Sequence, residues 1–134
     1  MELSELRKEV ISIAQSQLGK KEIPVGSNWG VDVKGYLNSV GINFPASWCY
    51  AFSYWCVNEA CKKLSLPNPL VKTGGCLYAW GHTPPEKRKL HPTPGDIFIM
   101  DFGHGEGHAG IVTGTDAIWA LTIDAGKFIP TLLR

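Results

Sequence analysis

The residues best suited to chemistry in this sequence are a cysteine, a histidine and an aspartate that lie far apart along the chain. Cys49 stands where residues 44–46, which include Pro45, give way to an aromatic-rich segment. Pro disfavours a helix in the residue before it and Ser47 is a suitable N-cap, so a helix is predicted to begin at Cys49 or just before it. The helix dipole and the unpaired backbone N–H groups there favour a thiolate and can also hold an oxyanion. Cys49 is therefore predicted to be a nucleophile.

His108 and Asp124 lie on two successive strand-like runs that a short turn would join into a hairpin. If residues 115–117 form a three-residue loop, His108 is opposite Asp124 and Gly114 is opposite Ile118. Opposed side chains share a face with Cβ atoms about 4.5 to 5.5 Å apart, so the carboxylate can hold the imidazole. Thiol, imidazole and carboxylate are the nucleophile, base and orienting group of acyl transfer. The other face of this hairpin is predicted to join the core through Ala109, Ile111, Thr113, Trp119, Leu121 and Ile123.

The elements that must position these residues are helices first and strands afterwards. Apolar spacing predicts helices at 3–18, 33–40, 47–64 and 76–80, and strands at 97–100, 108–113, 118–124 and 128–133. Pro94-Gly95 has the residue order of a type II turn, and residues 103–107 are predicted to be a flexible loop. This order predicts an α+β domain with an antiparallel sheet.

Length, composition and charge exclude several classes of protein. The chain has 134 residues, of which 44% are hydrophobic, so residues 1–134 are expected to form one domain with a core of its own. Its 13 basic and 12 acidic residues are scattered and give a net charge of +1, which argues against nucleic acid as a partner. No apolar run approaches membrane-spanning length, and charges interrupt any signal-peptide core near the start, so membrane insertion is not expected.

The other cysteines and a second histidine suggest no metal or cofactor. Cys56 and Cys61 are predicted to be buried small hydrophobes, with a disulfide from either one to Cys76 left open. The cysteines lack the paired spacing of structural zinc sites. His104 and His108 have a spacing that would suit zinc on a helix, but the glycines interleaved with them make a helix improbable.

An ordered set of motifs resembles one known family. The motifs are Gly26-Ser27-Asn28, Tyr36-Leu37, Val40-Gly41, Trp48-Cys49, Ala51-Phe52, Pro94-Gly95-Asp96-Ile97 and Gly107-His108-Ala109-Gly110-Ile111-Val112. Together they resemble the cysteine, histidine-dependent amidohydrolase/peptidase (CHAP) family, within the NlpC-like, papain-like cysteine peptidases. The resemblance covers about Gly26 to Asp124, which is most of the chain.

This resemblance implies a papain-like α+β fold, in which the nucleophile begins a central helix packed on a C-terminal antiparallel sheet. It also implies hydrolysis of an amide bond in bacterial peptidoglycan, by a muramoyl-alanine amidase or an endopeptidase such as a phage lysin. By position, Cys49 is the nucleophile and His108 the general base. Asp124 stands at the third catalytic position of the family. Residues 125–126 differ from the Gly-Asn that often follows the acidic residue in such sequences.

That difference motivates an alternative, a catalytically weakened module that binds cell-wall peptides or a partner. A second alternative is a metal-dependent hydrolase that uses His104, His108 and a carboxylate.

The peptide part of peptidoglycan is the expected partner, and the candidate contacts to it are Asn28, Trp29 and Trp48. A capping role for Asn28 and a packed Trp29 are equally compatible with the sequence. The sequence identifies no inhibitor or immunity protein. Made in the cytoplasm without a visible signal peptide, the protein is expected to act on the periplasmic or cell-wall peptidoglycan after lysis or dedicated export.

Overall fold

The computed structural model describes residues 4–89, 91–115, 119–124 and 127–132. Within these residues the elements are α1 (Glu5–Ser16), α2 (Val31–Ser39), α3 (Cys49–Leu64), α4 (Cys76–Gly81), a 3-10 helix (Pro85–Lys87), β1 (Ile97–Gly103), β2 (Glu106–Thr115), β3 (Trp119–Asp124) and β4 (Lys127–Leu132). The strands form one antiparallel sheet in the order β1-β2-β3-β4. Helices therefore precede the sheet, and the predicted α+β, papain-like class is confirmed. Leu3, Ile118 and Leu133, at predicted element ends, lie outside the described residues.

Helix α3 is the central helix because three sides of it are covered. Helices α1 and α2 pack against it, and strand β2 packs against it from the sheet. Its N-cap is Trp48, whose side chain makes no capping hydrogen bond, so the predicted cap at Ser47 is wrong. The indole of Trp48 packs inward on the Tyr36 ring, with ring centroids 5.5 Å apart. The Tyr36 ring also meets Phe52 edge to face, with centroids 5.1 Å apart.

A turn before β1 fastens the sheet to the first helix. Asp96 N donates to Thr93 O at 3.0 Å and Gly95 has φ of 91°, which confirms the predicted type II turn. Arg7 of α1 donates to Asp96 Oδ1 at 2.8 Å and to Pro94 O at 2.9 Å. A Cβ on Gly95 would lie 2.7 Å from Arg7 Cβ, so this close approach of helix and turn requires glycine.

The connection between β1 and β2 is tighter than the sequence predicts. The two strands run to Gly103 and from Glu106, which leaves only His104 and Gly105 in the turn. Both have positive φ, 56° and 76°, as in the two-residue turns that match the twist of a hairpin. The predicted flexible loop over 103–107 is therefore wrong, because the glycines permit a tight hairpin instead.

The register of β2 and β3 also differs from the prediction. Ile111 pairs with Ile123, but Gly114 pairs with Leu121, with an irregularity after Val112. The predicted pairing of Gly114 with residue 118 is wrong, as is the placement of His108 directly opposite Asp124. The main reason is that Thr115, predicted to lie in the loop, pairs with Ala120, so the paired part of β2 extends further than predicted. One bulged residue then changes the register by one more position.

The bulge also divides the predicted core face. Ala109, Ile111 and Ile123 are fully buried as expected. Beyond the bulge Leu121 is 38% exposed and Thr113 is only half-buried, so the prediction is wrong at these two positions. The Trp119 side chain lies outside what the structure describes.

Candidate active site

The predicted chemical residues meet in one cleft between the helices and the sheet. The cleft encloses about 520 Å³ and is lined by Lys21, Glu22, Val25, Asn28, Ser47, Trp48, Cys49, Gly107, His108 and Asp124. Helix α3 contributes the thiol, β2 the imidazole and β3 the carboxylate. The structure thus brings together three residues that are far apart in sequence.

Asp124 holds the ring of His108. His108 Nε2 lies 2.9 Å from Asp124 Oδ2, and because an ionised carboxylate only accepts, the ring nitrogen donates. The Asp124 side chain is 5% exposed, so the carboxylate end of this bond is buried, whereas the His108 side chain is 32% exposed. With Nε2 engaged, Nδ1 is the ring nitrogen left for the thiol.

Glycine at position 110 makes this contact possible. Continuing the Ile111–Ile123 pairing by one residue sets Asp124 beside Gly110, two positions along β2 from His108. A Cβ on Gly110 would overlap Asp124 Oδ1 and approach Phe98 Cζ to 2.8 Å. The carboxylate therefore lies over a bare Cα and reaches the imidazole diagonally, a distance that longer side chains can span.

Phe98 is a site residue that the sequence reasoning missed. Its ring centroid lies 5.9 Å from that of His108, on the strand next to β2. Alternation along the predicted strand at 97–100 places Phe98 on the face of the Met100–His108 pair, and that signal was present in the sequence. The two rings are tilted by 56° to each other, so Phe98 is an apolar neighbour of the imidazole.

Cys49 is a half-buried thiol whose surroundings favour its charged form. Burial alone would raise the pKa of Cys49. Hydrogen bonds with the His108 side chain and with the Ala109 and Tyr50 backbones oppose this, as does the charge of His108, and they lower the pKa of Cys49 below the usual value of cysteine. The thiol is consequently easier to ionise than an isolated one.

The pKa of His108 shifts in the opposite direction to that of Cys49. The hydrogen bond with Asp124, followed by that with Cys49, raises the pKa of His108 from 6.5 to about 9, although burial acts in the opposite direction. A protonated imidazole and a thiolate stabilise each other by charge and hydrogen bonding. The geometry therefore favours a thiolate–imidazolium pair.

Glu22 fixes the wall of the cleft next to the thiol, and the sequence reasoning missed it. Glu22 Oε1 accepts from Trp48 Nε1 at 2.9 Å, and Oε2 accepts from Gly26 N at 2.7 Å. One carboxylate thus ties the loop before α2 to the residue that precedes Cys49. No local spacing identifies it, because its partner Trp48 is distant in sequence.

The predicted substrate contacts have different surroundings. Asn28 lines the cleft and has φ of 54°, a conformation that asparagine tolerates. Trp48 also lines it but is only 7% exposed, so most of the indole packs in the core. Trp29 is half-buried and packs against the core, and it is not among the residues that line the cleft.

All four cysteines are free thiols, so the disulfide from Cys56 or Cys61 to Cys76 that the sequence left open is absent from this structure. Burial raises the pKa of Cys56 well above that of an ordinary thiol. His104 is exposed on the β1–β2 turn. Within the described ranges, no three His, Cys, Asp or Glu residues are grouped as metal ligands.

The helices that the structure describes are all too short or too polar to cross a membrane.

The comparisons with known proteins add one match. The family model described as the CHAP domain matches residues 40–126, a range that includes Cys49, His108 and Asp124. No curated protein and no solved structure matches the chain. Because the family model covers more than half of the sequence, the chain belongs to the CHAP domain family, whose members are generally hydrolases of the cell-wall amidase and peptidase type.

Proposed function

We propose that this protein hydrolyses an amide bond in the peptide part of bacterial peptidoglycan, with Cys49 as nucleophile. The observation that carries the proposal is the chain of contacts from Cys49 to His108 and from His108 Nε2 to Asp124 Oδ2, the latter at 2.9 Å. Nucleophile, base and orienting group in that order are what acyl transfer requires.

The first half of the reaction forms an acyl-enzyme. The Cys49 thiolate attacks the carbonyl carbon, and the proton carried by His108 passes to the nitrogen of the departing amine as the C–N bond breaks. Asp124 keeps Nε2–H engaged, so Nδ1 faces the reacting atoms throughout. The carboxylate also stabilises the charged imidazolium before that proton is transferred.

The second half of the reaction regenerates the thiol. His108, now neutral, removes a proton from water, and the resulting hydroxide attacks the acyl carbon and displaces the Cys49 sulfur. In both halves the backbone N–H of Cys49, at the first turn of α3, with a neighbouring donor, stabilises the negative oxygen. No step needs a metal or a cofactor.

The cleft suits an extended peptide better than a small metabolite. It is open to solvent and combines charged, amide and apolar side chains, with Lys21, Asn28 and Val25 among them. A muramoyl-alanine amide and a stem-peptide bond both present a carbonyl within such a peptide. We propose that the protein meets this substrate in the cell wall, after lysis or dedicated export.

Release of new amino groups from purified peptidoglycan tests the proposal. Wild type should release them and Cys49→Ala should not, because the covalent step is lost. Cys61→Ala serves as the control, because it removes a buried thiol of the same helix and should retain activity. Equal release by wild type and Cys49→Ala would refute the hydrolase. Binding to insoluble peptidoglycan without release would instead support a binding module.

A further inference from the structure

A second thiol lies close to the nucleophile. Cys49 is the first residue of α3 and Cys76 is the first residue of α4. Burial and then the neighbouring Cys49 raise the pKa of the Cys76 thiol, and only 8% of the residue is exposed. Helix α4 otherwise packs on β1 and β2, the strands that carry Phe98 and His108.

The strand beside the two thiols is shaped to admit Cys76. A Cβ on Gly107 would lie 2.8 Å from Cys76 Sγ and 2.9 Å from Leu77 Cδ2, so a side chain there would displace α4. Gly107 directly precedes His108 and lines the cleft together with Cys49. The Cys76 sulfur therefore lies against a glycine that lines the cleft, whereas the other two thiols lie in α3 at buried core positions.

We propose that Cys49 and Cys76 form a reversible disulfide when a peroxide oxidises the protein. The Cys49 thiolate attacks one oxygen of hydrogen peroxide; an S–O bond forms, the O–O bond breaks, and the hydroxide released takes a proton to become water. Cys76 sulfur then attacks Cys49 sulfur; an S–S bond forms, the S–O bond breaks, and a second water leaves with the Cys76 proton. Two thiols lose two electrons in total, and one peroxide is reduced to two waters.

The disulfide has a consequence for the nucleophile. A sulfenic acid without a neighbouring thiol is oxidised further to sulfinic acid, which thiol reductants do not reverse. Closure onto Cys76 stops that process at a stage that dithiothreitol reverses by thiol–disulfide exchange. Cys76 thus protects Cys49 and, if the proposed function holds, switches hydrolysis off while peroxide is present.

The test uses the full chain with Cys56→Ala and Cys61→Ala, in which only Cys49 and Cys76 remain. One equivalent of hydrogen peroxide should lower the intact mass by about 2 Da and remove both free thiols, and dithiothreitol should restore both values. A gain of about 16 or 32 Da at Cys49, with Cys76 still free, would overturn the proposal.

Wild type provides the same readout without core substitutions. Chymotrypsin cuts after the aromatic residues that separate Cys49 from Cys56, and trypsin cuts after Lys62, Lys63 and Lys72, which separate Cys61 from Cys76. A non-reducing digest with both proteases therefore resolves whether Cys49 is bridged to Cys76. A Cys49–Cys76 crosslinked peptide is expected; a bridge between other cysteines, or none, contradicts the proposal.

The variant Cys76→Ala should gain about 32 Da under repeated peroxide treatment, and dithiothreitol should not remove this added mass. If dithiothreitol returns the mass of Cys76→Ala to its untreated value as fully as it does for wild type, the proposal is also contradicted. Because every readout is a mass or a count of free thiols, the result does not depend on whether the protein hydrolyses peptidoglycan.

Discussion

Asp124 reaches His108 diagonally across the sheet, over the bare Cα of Gly110. The carboxylate accepts from His108 Nε2 at 2.9 Å, yet the strand pairing sets Asp124 beside Gly110 and not beside the histidine. The space that a methyl group would fill at Gly110 is occupied by Asp124 Oδ1 and by the edge of Phe98. A glycine two positions from the base is thus part of what orients that base.

The substitution Gly110→Ala should therefore damage both stability and activity. The new Cβ must push aside a buried carboxylate and an aromatic ring, which we expect to lower the free energy of unfolding by about 1–3 kcal/mol. Activity should fall further than stability explains, because the His108–Asp124 bond is lost. Urea unfolding and release of amino groups measure the two effects.

Gly114→Ala is the matched control on the same strand. Its Cβ would meet Leu121 Cδ1 at 3.5 Å, an ordinary contact, so stability and activity should stay near the wild-type values. If the two alanine variants behave alike, Gly110 has no special role in placing Asp124.

Replacing Asp124 with asparagine removes the charge and keeps the shape. Because Asp124 is the largest cause of the raised pKa of His108, that pKa should move from about 9 toward 6.5 in Asp124→Asn. The rate of hydrolysis should fall by about 10²-fold, the lower end of what general acid–base catalysis contributes. NMR titration of the His108 ring measures the pKa. An unchanged titration would show that the carboxylate does not control the imidazole.

The dependence of activity on pH follows from the two shifted groups. Activity should fall in acid as Cys49 takes up a proton, with a midpoint below the usual pKa of cysteine. It should fall again in base near pH 9, where His108 loses its proton. The two limbs belong to the coupled pair, so they report apparent values of the pair. The initial rate of hydrolysis between pH 5 and 11 gives the profile, and a rate that still rises above about pH 10 would contradict the ion pair.

Removing the Glu22 carboxylate should loosen the wall beside the nucleophile. In Glu22→Ala the buried Trp48 N–H and the Gly26 N–H lose their acceptor, at a cost of about 1–3 kcal/mol in the free energy of unfolding. Glu22→Gln keeps one carbonyl acceptor and should recover part of both stability and activity. If alanine and glutamine lower activity equally while the proteins stay folded, the hydrogen bonds of Glu22 are not what positions this wall.

The sequence predicted the helices and strands well because each depends on a local pattern. The spacing of apolar residues in α1, α2 and α3 and the Pro94-Gly95 turn were sufficient without tertiary information. The cleft itself was also anticipated, since Cys49, His108 and Asp124 do line it.

Features that arise from contacts between distant residues were missed. Thr115 pairs with Ala120 instead of lying in the predicted loop, and an extra residue after Val112 shifts the register again. Neither feature can be read from the alternation of residues along the sequence. Trp48 displaces Ser47 as the N-cap because its ring is held between Tyr36 and Glu22, both remote in sequence. The sequence offered Cys76 only as a possible disulfide partner of Cys56 or Cys61, and the fold is what brings it close to Cys49.

Mass analysis of muropeptides after digestion tests the central claim most directly, because it registers cleavage and identifies the bond together. Wild type should convert intact peptidoglycan into fragments that carry a new amino end and a new carboxyl end at one amide bond, and Cys49→Ala should leave the muropeptides unchanged. Identical fragments from wild type and Cys49→Ala, or cleavage of a glycosidic bond, would contradict the assignment of Cys49 as the nucleophile of an amide hydrolase.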